Sequence, residues 1–76
     1  ACNSPEFDTG ADYGNKLQKE KLLDADIVEY MKNSLKNAPG ANKLAFSAGF
    51  ISVFKDDRST ARHHMDSLWL WTMPGE

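Results

Sequence analysis

Two C-terminal segments of the chain carry bulky side chains on every second position. Successive side chains of a β-strand point to opposite faces of a sheet, so this alternation predicts strands at about 43–55 and 61–73. The polar stretch 55–60 between the two segments predicts a turn. The positions that alternate in this way, most of them bulky, are Leu44, Phe46, Ala48, Phe50 and Phe54 in the first segment, and His63, Met65, Ser67, Trp69, Trp71 and Met73 in the second.

The two strands are expected to pair as an antiparallel β-hairpin with one aromatic face. In the register that sets Phe46 opposite Trp69, Phe50 faces Met65 and Leu44 faces Trp71. Leu68 and Leu70 lie on the reverse face of the last strand. A strand that is apolar on both sides is usually buried on both sides.

A helical pattern precedes the hairpin, and it predicts one helix at about 16–37. Asp12 or Asn15 could cap this long helix, whereas Asp24 could cap a shorter one that begins after Leu23. The segment 37–40, which contains a proline and a glycine, is expected to end it. The apolar positions recur at spacings of three and four, at Leu23, Ile27, Tyr30, Met31 and Leu35.

Residues 1–14 are mostly small or polar and predict an extended N-terminal arm. The remainder, residues 15–76, is expected to form a single small domain of the α+β class, with the helix packed on the hairpin. One helix covers one side of a two-stranded ribbon, and a hairpin alone is marginal in water. The sheet is therefore expected to be completed by another chain or by the N-terminal arm.

The size of the chain favours association with another protein. A domain of 76 residues buries only about 60% of its unfolded surface, which leaves its stability marginal. Small domains are usually reinforced by disulfides, a metal or oligomerisation. The chain has a single cysteine and no Cys/His cluster with zinc spacing, so oligomerisation remains.

Charge and hydropathy argue against two further classes of protein. The net charge is −2 and the sequence pI is about 5.6, whereas nucleic-acid-binding domains usually have a pI above about 9. The longest apolar run, residues 44–54, is shorter than the roughly 20 residues that a membrane-spanning helix needs. We therefore predict no nucleic-acid binding and no transmembrane segment.

The sequence contains no catalytic motif, and we predict neither enzymatic activity nor a cofactor. No serine lies in a glycine-flanked elbow, and no glycine-rich loop could hold a phosphate. On a strand, His63 and His64 would point to opposite faces, so they could not share a metal. His64 and Asp66 would share a face and are the weak metal-ligand candidates, but no metal is predicted.

Cys2 leaves three interpretations open. In order of preference they are an idle thiol, an intermolecular disulfide and a lipid anchor, because an odd cysteine in a secreted chain suggests pairing between chains or a free thiol. The sequence Ala-Cys-Asn-Ser at residues 1–4 resembles the end of a bacterial lipoprotein signal over two residues, without the preceding leucine.

We therefore predict a non-enzymatic protein-interaction module, or a subunit of a larger homo- or hetero-oligomeric assembly. A small secreted effector or toxin-type subunit that pairs with a companion chain is the alternative. A secreted or extracytoplasmic location is slightly favoured. Tryptophan and methionine are enriched at the cores of interfaces, and the expected interface residues are Leu68, Trp69, Leu70, Trp71 and Met73.

Overall fold

The computed structural model describes residues 4–19 and 22–73. Over these residues the chain is all-helical, with four helices and no strand. The second helix continues without interruption into a π-helical segment, in which backbone hydrogen bonds span one residue more than in an α-helix. The helices are α1 (Pro5–Gln18), α2 (Asp24–Tyr30) with its π-helical continuation (Met31–Leu35), α3 (Gly40–Ser52) and α4 (Arg58–Thr72).

The predicted α+β class and the β-hairpin are therefore wrong. The segments predicted as strands at 43–55 and 61–73 lie largely in α3 and α4. Residues on every second position include pairs four apart, which also share one face of a helix. Phe46 and Phe50 are such a pair, and both are fully buried on the inner face of α3.

The N-terminal arm predicted at 1–14 is also wrong over its described part, because residues 5–14 belong to α1. Ser4 caps the helix: its hydroxyl oxygen accepts a hydrogen bond of 3.2 Å from the Phe7 backbone nitrogen. Pro5 follows in the first turn, where a missing N–H group costs nothing. The small and polar residues of this segment therefore form a helix that buries only a narrow face, and not a loop.

Glycines allow α1 and α3 to pack with their backbones in contact. Gly10 and Gly14 of α1 and Gly49 of α3 are all buried. A Cβ at Gly10 would overlap the backbone of Phe46, and one at Gly49 would overlap the backbone of Phe7. Glycine is the residue that permits such a close approach of two backbones.

The helix predicted at 16–37 is divided in the structure. α1 ends at Gln18, and α2 begins at Asp24, as in the shorter alternative. The cap differs in detail, because the Leu23 backbone nitrogen donates to Asp26 Oδ2 at 3.1 Å. Gly40 does not end a helix but begins α3, with Pro39 as its N-cap.

The core lies where α2 and its π-helical continuation meet α3 and α4. Asp57 starts α4 by accepting a hydrogen bond of 3.2 Å from the Thr60 backbone nitrogen, so the predicted turn at 55–60 is only partly a turn. The buried apolar residues come from α2, the π-helical segment, α3 and α4, and they are Ile27, Val28, Met31, Leu35, Phe46, Phe50, Ala61, Met65 and Leu68.

Candidate interaction surface

The five residues predicted to form an interface do not lie on one surface. Leu68 is fully buried in the core, together with Met65 one turn earlier. Trp69 is half-buried against α3, and its Nε1 donates a hydrogen bond of 2.8 Å to Ser47 Oγ. Leu68 and Trp69 therefore hold α4 on the domain.

The other three predicted residues are exposed at the end of α4. Leu70 is 64% exposed, Trp71 55% and Met73 61%. On a helix, residues 65, 68 and 72 share one face, so residues 70 and 71 fall outside it. Met73 follows the last helical residue and has an extended backbone. We call Leu70, Trp71 and Met73 the α4 tip.

A groove lies between Trp71 and the outer surface of α2. Its volume is about 610 Å³. This volume falls within the range of roughly 300–1,000 Å³ that is typical of ligand pockets, although this groove is open. We call it the Trp71 groove, and its lining residues are Ala25, Val28, Glu29, Lys32, Asn33 and Trp71.

The π-helical segment begins beside the Trp71 groove. Met31 and Leu35, its first and last residues, are both buried, while Lys32 and Asn33 between them line the groove. Short π-helical segments are rare and frequently occur at functional sites. Within the described residues, Glu29 and Lys32 form no ion pair, although their spacing on a regular helix would favour one.

The sequence did not indicate this groove. Apart from Val28, which belongs to the apolar stripe and is buried, the residues that line it from the predicted helix lie on its polar or small-residue surface. Such a surface is typical of an ordinary solvated helix face. The groove exists because α4 runs alongside α2. The two helices are far apart in the sequence, so only the tertiary fold brings them together.

The weak metal-ligand candidates lie apart from the α4 tip. His64 Nε2 is 2.9 Å from Asp24 Oδ1, so this pair joins α4 to the first turn of α2. The His64 ring also stacks on Phe50, with ring centroids 6.2 Å apart. Asp66 is exposed, and over residues 4–19 and 22–73 no three His, Cys, Asp or Glu side chains are grouped to hold a metal.

An aromatic cluster joins α1, α2 and α3. Tyr13 packs edge-on against Tyr30 and Phe46, with centroid distances of 5.0 and 5.9 Å. Burial raises the pKa of the Tyr13 hydroxyl above its ordinary value of 10.0, and the nearby Tyr30 raises it further. This cluster is separate from the Trp71 groove and serves packing.

Two further sequence predictions concern Cys2 and membrane-spanning helices. Cys2, the candidate lipid-anchor or disulfide residue, lies outside the described residues. No helix in the described part of the chain combines the length and the apolar character needed to cross a bilayer.

Comparison with known proteins gives no relative from which a function could be transferred. The chain matches no known protein family, no curated protein and no solved structure.

Proposed function

We propose that this protein is a non-enzymatic interaction module, or a subunit of a larger assembly, that binds another protein chain through the α4 tip and the Trp71 groove. The observation that supports the proposal is the exposure of Trp71 at the wall of an open groove. The proposed binding surface therefore keeps three of the five residues expected from the sequence and adds the outer surface of α2.

The composition of the α4 tip supports a protein partner. Three large apolar side chains, Leu70, Trp71 and Met73, are exposed within four residues at the end of α4. Tryptophan is among the residues that dominate binding energy at interfaces, and methionine adapts its shape to a partner.

The shape of the surface supports the same proposal. Trp71 lines an open groove together with residues of α2, so a partner can contact both α4 and α2 there. Apolar contacts would come from Ala25, Val28 and Trp71. Glu29 and Lys32 supply charges at the same groove, where charges fix orientation and exclude wrong partners.

Photo-cross-linking of the protein in its natural host tests this proposal. A photoreactive phenylalanine analogue is placed at position 71 in one variant and at position 44 in another. Leu44 is the matched control because it is 74% exposed on α3 and does not line the groove. We expect one discrete cross-linked protein from position 71 and none from position 44. Equal cross-linking from both positions, or none from position 71, would contradict the proposal.

A further inference from the structure

No further inference is drawn: the strongest candidate, the open cavity beside α3 that Arg58 and Arg62 line at the start of α4, amounts to a helix N-terminus with two exposed arginines, and nothing else in the described part of the chain points to a ligand there.

Discussion

Gly10 of α1 lies directly against the backbone of Phe46 in α3, with no space for a side chain between the two helices. A Cβ at Gly10 would come within 2.9 Å of the Phe46 carbonyl carbon and would overlap its oxygen. Real Cβ atoms essentially never come closer than 3.0 Å to another residue, so any substitution must move backbone.

We therefore expect G10A to destabilise the protein. Alanine favours a helix over glycine by about 1 kcal/mol, but forcing the two helices apart should cost more and leave a net loss of about 1–3 kcal/mol. The measurement is urea denaturation followed by far-ultraviolet circular dichroism. G40A is the matched control, because nothing lies within 4 Å of a Cβ there. A G10A protein as stable as G40A would show that the crossing is looser than described.

Neighbouring leucines of α4 should respond oppositely to truncation. Leu68 is fully buried, so L68A leaves a cavity and should lower the free energy of unfolding by about 2–5 kcal/mol. Leu70 is exposed, so L70A should change it by no more than about 0.5 kcal/mol. Both values come from the same urea titration. Comparable losses in the two variants would mean that Leu70 is also a core residue.

Tyr13 should contribute to loss of stability at alkaline pH. Its pKa is raised in the folded protein, mainly by burial, so the neutral hydroxyl is favoured there. This contribution is complete below the unfolded pKa of about 10 and is lost as pH rises through the folded pKa. In Y13F the free energy of unfolding should therefore fall less steeply above about pH 10. Urea titrations across this range provide the comparison, and parallel pH profiles for the two proteins would refute the assignment.

The positions of the apolar residues could be predicted from the sequence, but the type of secondary structure could not. Phe46 and Phe50 share a face on a strand and on a helix, so their spacing alone does not distinguish the two. In the structure α1 packs against Gly49 of the helix α3 with the two backbones in contact. The sequence did not indicate α1, because the residues at 1–14 are mostly small or polar.

The residues predicted to form the interface are separated because their segment is a helix and not a strand. Leu68 and Leu70 share a face on a strand, but on a helix they lie about 200° apart, so one is buried and the other exposed. Trp71 remains exposed in the structure, as an interface residue must be before it binds. Glu29 and Lys32 could not be linked to Trp71 from the sequence, because about forty positions separate them from it.

Backbone contact between α1 and α3 has a mechanical consequence for the rest of the domain. At Gly10 and Gly49 the contact is between the two backbones, which cannot repack as side chains can. α4 instead shares with α2 a core that contains Met31 and Met65, whose unbranched thioethers can repack around small displacements. Adaptability is thus concentrated in the half of the molecule that carries Trp71, where a partner's shape has to be accommodated.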